Sequence, residues 1–203
     1  AGHAVLPALS LVAPPADAPA DAWISGKFTG ASRNDVPMSV MGNVGKRYGG
    51  HDPGIALPFI GQPVQGMSGF AMNRAEDGSF YVLTDNGFGS KRNSPDALLF
   101  FHKMAPDFEA GGVERKETIF LHDPDRKVPF RIAYEGTDSR YLTGADFDLE
   151  SLQVLGDTVW IGDEFGPYLI KADLTGRVLE VVQTVLDGKV LTSPDTAGVF
   201  VPA

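Results

Sequence analysis

The stretch 146-DFDLESLQVLGDTVWIGDEFGPYLI-170 repeats the arrangement of 66-GMSGFAMNRAEDGSFYVLTDNGFG-89. Each copy is an extended run, a Gly/Asp turn and an alternating apolar strand that ends on an acidic pair or its amide equivalent beside glycine. Asp85-Asn86-Gly87 stands at the same point after Tyr81-Val82-Leu83 as Asp163-Glu164-Phe165-Gly166 does after Val159-Trp160-Ile161. A recurring strand-turn-strand unit tipped with carboxylates reads as a β-propeller blade with a metal site at the strand ends. A generic β meander would reproduce the turns, but not the matched acids.

Working outward, the first unit takes strands over 68–72, 79–84, 97–104 and 115–121, with a hairpin turn at 77-DG-78. The second takes 151–155, 158–162, 168–172 and 177–185, with turns at 156-GD-157 and 175-TG-176. The expected fold is all-β, part of a β-propeller built from four-stranded antiparallel blades, with clear blades at about 66–121 and 146–187. Residues 1–22 are Ala/Pro-rich, and 13-APPADAPADA-22 is expected to be irregular, although 5–12 offers an added strand. Residues 23–29 read as an outer edge strand, and 30–63 as a long Gly/Pro loop containing His51 in 49-GGHDPG-54. No segment carries a sustained helical period with caps. Propellers close with at least about four blades of roughly 40–50 residues. Residues 23–203 are therefore expected to form a partial propeller, with the remaining blades elsewhere in a longer polypeptide or on a second chain.

With 203 residues, 43% of them hydrophobic, the chain can bury a sizeable core. A net charge of -9 with no basic block argues against a non-specific grip on nucleic acid or an anionic membrane. The same acidity suits an oxygen-ligand cation site, and equally a solvated acidic surface. Without cysteine there is no disulfide, thiolate zinc site, iron–sulfur cluster or thiol nucleophile. No apolar run is long enough to span a bilayer. The Ala-rich start fits the mature end left by a cleaved secretory signal peptide, or a simple boundary. A calcium-type site suits an extracytoplasmic calcium level, so a periplasmic or secreted protein is expected.

The candidate chemistry lies in the acids. In an extended 144-GADFDLES-151, Asp146, Asp148 and Glu150 share one face, while Phe147 and Leu149 point into packing. Three like charges on one face repel unless a cation sits among them, and Ca²⁺ takes six to eight oxygens. Asp163 and Glu164 are adjacent and so face opposite sides. Glu164 has the longer stem and is the better ligand, whereas Asp163 closes the turn through backbone N–H groups. Asp85 and Asn86 occupy the equivalent place, Asn86 offering a carbonyl oxygen without charge. Lys91, Arg92, Arg126, Lys127, Arg131 and Arg140 are the nearby cations, with Arg92 and Arg140 the best placed to steady an anion. His51 lacks an ordered partner, and Ser68 in 66-GMSG-69 does not meet the nucleophile-elbow pattern.

The segments 66-GMSGFA-71, 80-FYVLTDNGFG-89, 142-LTGADFDLES-151 and 158-TVWIGDEFGPYLIKAD-173 resemble the esterase-like activity of phytase family. The resemblance runs from about residue 23 to 187 and covers only the first half of such a domain. It implies a phytase-like β-propeller, mostly bacterial and exported, that hydrolyses phosphate or carboxylic esters. Related phytase propellers use several calcium ions lined by Asp and Glu. By motif, the metal ligands would be Asp146, Asp148, Glu150, Asp163 and Glu164, with Asp85 and Asn86 from the first copy. Asp148 or Glu164 would serve as base and Arg92 or Arg140 as anion clamp in a calcium-assisted hydrolysis of a small-molecule ester or phosphoester. This half shows no dense Lys/Arg pocket for a polyphosphorylated substrate. The alternatives are a non-enzymatic calcium-pinned propeller that binds an envelope or extracellular ligand, and a propeller lactonase with an apolar mouth.

Overall fold

The computed structural model describes residues 2–7, 10–30, 32–37, 57–64, 66–85 and 87–194. His51 and Asn86 lie outside the described residues. The short strands β1 (Leu11–Val12) and β2 (Ile24–Ser25) flank a 3-10 turn at Ala20–Trp23. After β3 (Phe59–Ile60) and β4 (Gln62–Pro63) come β5 (Met67–Arg74), β6 (Phe80–Thr84), β7 (Phe100–Asp107) and β8 (Gly112–Phe120). Then follow β9 (Leu149–Leu155), β10 (Thr158–Asp163), β11 (Tyr168–Asp173), β12 (Val178–Gln183), β13 (Val185–Leu186) and β14 (Lys189–Val190).

Two four-stranded antiparallel sheets dominate, ordered β5-β6-β7-β8 and β12-β11-β10-β9. Each is a meander whose neighbours in space are neighbours in sequence, as the two repeated segments predict. The DG turn between β5 and β6 works because Gly78 takes φ +79, a left-handed conformation open to glycine at little cost. The segment expected to form an edge strand at 23–29 pairs only through Ile24–Ser25, with β3. The N-terminal strand expected within 5–12 is reduced to β1 on β4 and a bridge from Val5 to Gly112.

Alternation in each strand sends one row of apolar side chains into the space between the sheets. Leu83, Phe101, Ile119, Leu152, Val154, Val159, Ile161 and Ile170 form this core, capped by Leu142 and Phe147 from the connection between the sheets and by Leu149 at the start of β9. The innermost strands, β5 and β9, lie side by side. The Met72 N–H donates to Gln153 Oε1 at 3.3 Å and Asn73 Nδ2 to the Val154 carbonyl at 3.1 Å. At Gly69 the two backbones come close, a Cβ position there lying 3.4 Å from the Leu152 nitrogen, in van der Waals contact. The opposite face of the first sheet, with Val82 and Met104, meets Val64, Leu6 and Val12 and leaves an apolar groove of about 600 Å³.

Two packed blade-like sheets are therefore present, and no closed ring is formed among the described residues. Truncating the fully buried Phe101 to Ala should cost about 3–5 kcal/mol in urea unfolding. Met72→Ala, on an exposed side chain of β5, should stay within about 0.5 kcal/mol of the parent.

Candidate metal centre

Asp163 ends β10 at a bulge, where the register with β9 shifts so that it faces Leu149. Its buried carboxylate is saturated by backbone donors. Oδ1 accepts from the N–H groups of Asp148 (2.8 Å) and Phe165 (3.2 Å), and Oδ2 from those of Gly166 (2.8 Å) and Tyr168 (3.3 Å). Four bonds fill the acceptor sites of a carboxylate. Asp163 is thus the clamp of the turn, and the ligand role that its motif implies is replaced by this one. In return, the Glu164 N–H donates to the Asp148 carbonyl at 3.0 Å. The two acidic motifs of the second copy are locked to each other through their backbones.

Asp146 is also withdrawn from the site. The expectation of three carboxylates on one extended face fails because residues 144–146 form a turn, and β9 begins only at Leu149. The turn arises because Asp146 reaches back to Thr143. Its Oδ2 accepts from the Thr143 N–H (2.8 Å) and hydroxyl (2.9 Å), and its Oδ1 from the Ala133 N–H (2.8 Å). Burial pushes its pKa up to about 6, opposed by these hydrogen bonds. Asp146 fastens the connecting loop instead of facing an ion.

Asp85, Asp148 and Glu150 do converge. One carboxylate oxygen from each lies within 4.8 Å of the others. Asp85 extends from the end of β6 in the first sheet, its N–H bonded to the Gly66 carbonyl at 3.2 Å. Asp148 and Glu150 enter β9 in the second. Asp85 and Glu150 are exposed, whereas Asp148 is only 6% accessible, and its Oδ1 is buried with no hydrogen-bond partner. A buried acceptor left in this state costs about 1–3 kcal/mol, so the site asks for a donor or a cation. Burial pushes the Asp148 pKa up to about 8, helped by the Asp85 charge, a hydrogen bond shared with that carboxyl, and the charges of Glu164 and Glu150. Burial followed by the charges of Asp85 and Glu164 also raises Glu150. Glu164 is exposed at the rim, close enough for its charge to act on both.

The expected cations divide. Arg140 is buried far from this duty. Its Nε donates to the Asp123 carbonyl at 2.9 Å, Nη2 to Asp123 Oδ2 at 3.1 Å, and Nη1 pairs with Glu135 Oε1 at 2.6 Å. That network holds the loop before the acids, which replaces the anion-steadying role expected of Arg140. Arg92 is exposed. Lys91 reaches across to the second copy, its Nζ 4.9 Å from the centre of the Phe165 ring, and its charge lowers the pKa of Asp146. Sequence spacing could not favour Lys91 over Arg92, because the choice is made by the curl of the loop.

Two blade-like antiparallel sheets with carboxylates gathered at their inner strand ends define an all-β protein with an acidic site that can coordinate a divalent ion. A family model described as esterase-like activity of phytase, of the phytase-like group, matches residues 62–199. The chain belongs to this family. No curated protein and no solved structure gives a significant match.

Asp148 holds its proton in the folded chain at pH values where the unfolded chain has lost it. The resulting stability is present below the unfolded value near 4 and is lost as pH rises through about 8. In chelator, the melting temperature should therefore fall between pH 5 and pH 8, and Asp148→Asn should flatten that fall, gaining about 3 °C at pH 8. Asp163→Ala strands four backbone donors and should cost about 3 kcal/mol or more, read by chemical denaturation at constant pH.

Proposed function

We propose that the protein is a calcium-dependent hydrolase of phosphate or carboxylic esters, working at the Asp85, Asp148 and Glu150 cluster. The observation that carries this reading is the orphaned, buried Asp148 Oδ1 among like charges, which a cation relieves in place of the proton that the folded chain otherwise retains there. Three carboxylates with open water on the Asp85 and Glu150 side suit a hard ion that fills its shell with oxygens. Family membership supplies the reaction class. A bound Ca²⁺ would supply Lewis acidity toward a phosphoryl or acyl oxygen.

The chain's own residues provide the rest. Asp148, Asp85 and Glu150 hold the charge that draws the ion and fix its place between the sheets. Glu164, exposed at the rim and oriented through its N–H bond to Asp148, takes the proton of an attacking water. Lys91, steadied on Phe165, and Arg92 beside it present positive charge to the anionic substrate. No helix among the described residues is long and apolar enough to cross a membrane. Export to the periplasm or the medium, where calcium is plentiful, belongs to the same proposal.

A second reading, a non-enzymatic domain in which calcium only pins the sheets, is favoured by the ligands coming from both sheets. Calorimetry and hydrolysis of aryl phosphates, aryl esters and lactones, with and without chelator, separate the two. Calcium uptake that falls in Asp148→Asn and Glu150→Gln is expected. Glu164→Gln should bind calcium nearly as the parent does but lose about 100-fold or more in kcat. Activity indifferent to chelator, or calcium affinity unchanged in Asp148→Asn, would overturn the proposal.

A further inference from the structure

Residues 20–30 precede the span matched by the family model, yet they contain the most deeply buried ammonium in the described structure. The Lys27 side chain is 2% exposed and that of Asp96 fully buried. Lys27 Nζ pairs with Asp96 Oδ2 at 3.2 Å and donates to the Asp21 carbonyl at 2.6 Å and to that of Ile24. The Lys27 N–H donates to the same Asp96 oxygen at 2.9 Å. Gln62 completes the knot. Its Nε2 donates to the carbonyls of Ala22 (2.6 Å) and Asp96 (2.9 Å), and its Oε1 accepts from the Leu98 N–H (2.8 Å).

What this knot holds is the far end of the loop that leaves the acidic site. The loop runs from Gly87, two residues after Asp85, to Ala97. Its two ends touch: Gly87 has φ +112, and a Cβ there would stand 2.4 Å from the Ala97 Cβ. The Phe88 N–H donates to Ser94 Oγ at 3.0 Å, and Phe88 abuts Gly26, where a Cβ would stand 3.0 Å from the ring. The same loop carries Lys91 over to Phe165, beside Glu164. Desolvating an ammonium and a carboxylate costs several kcal/mol per ion, and apolar replacements of such pairs are often neutral or stabilising. Geometry, more than stability, is what this pair supplies.

We infer that Lys27 is a positioning residue for the acidic site, acting through Asp96 to fix the 87–97 loop and with it Asp85 and Lys91. This rests on the reading of Asp85, Asp148 and Glu150 as a cation site. The test is the double variant Lys27→Met, Asp96→Leu, which removes both charges together. Its calcium affinity by calorimetry should fall about tenfold or more at unchanged stoichiometry. Trypsin should cleave between Lys91 and Arg92 about tenfold faster, since that rate follows the population of the opened loop, while cleavage after Lys116 on β8 is unchanged. Asp96→Asn removes the ion pair but keeps an acceptor for the Lys27 N–H, so its affinity should fall, though less than that of the double variant. If the double variant does not fold, Asp96→Asn with parental affinity and parental cleavage overturns the inference. Lys103→Met, which breaks the surface pair with Glu117, should alter neither readout. A folded double variant with parental calcium affinity and parental cleavage overturns the inference. If the parent takes up no calcium, the cation-site reading fails by itself. The cleavage rates then still decide whether Lys27 holds the loop.

Discussion

The Asp163 carboxylate is the constraint on which the site depends. It binds four backbone N–H groups, three from its own turn and one from Asp148, in a buried place where each would otherwise go unmet. One side chain thus fixes the exit of β10, the entry of β9 and the distance between them. With Asp148 held by its backbone, its side chain is forced toward Asp85 despite the repulsion. The energy that gathers these acids comes from hydrogen bonds to Asp163 and from the core beneath, where Phe147 packs on Phe130 and Tyr168.

The strands were legible in the sequence because alternation and the DG, GD and TG turns are local rules. The eight strands of the two sheets fall within a few residues of where those rules put them. The acids were legible only as a group. The i, i+2 rule holds where backbone is extended, and Thr143 diverts Asp146 into a turn before the strand starts. Sequence position does give Asp163 the task of closing its turn through backbone N–H groups, but not that Asp148 would fill its remaining acceptor site. Asp163 and Asp85 occupy equivalent places in the two copies, yet Asp163 spends both oxygens on backbone while Asp85 joins the cluster. The partners that decide this are Phe165, Gly166 and Tyr168 in one copy and the 87–97 loop in the other.

The arginines show the same limit from the other side. Arg140 lies close in sequence to the acids, and proximity recommended it. Two carboxylates, Asp123 and Glu135, claim its fork inside the preceding loop, where its burial makes an unpaired charge untenable. Lys91 has a weaker claim by spacing but sits on a loop bent back by Gly87 and Ser94. A planar, buried guanidinium builds structure here, and the ammonium of Lys91 lies over the Phe165 ring beside the acidic cluster.

Each sheet is a meander, so its hydrogen bonds close between neighbours in sequence at small entropic cost. The acidic cluster is different. Asp85 ends the second strand of one sheet and Asp148 opens the other, with β7, β8 and the whole connecting loop between them. Contacts so far apart along the chain carry a larger loop-closure cost than those within each meander. The cluster then serves as a record of assembly: a half-folded chain with one sheet complete has ordinary, separate carboxylates. Only the docked pair brings the three carboxylates within reach of one another.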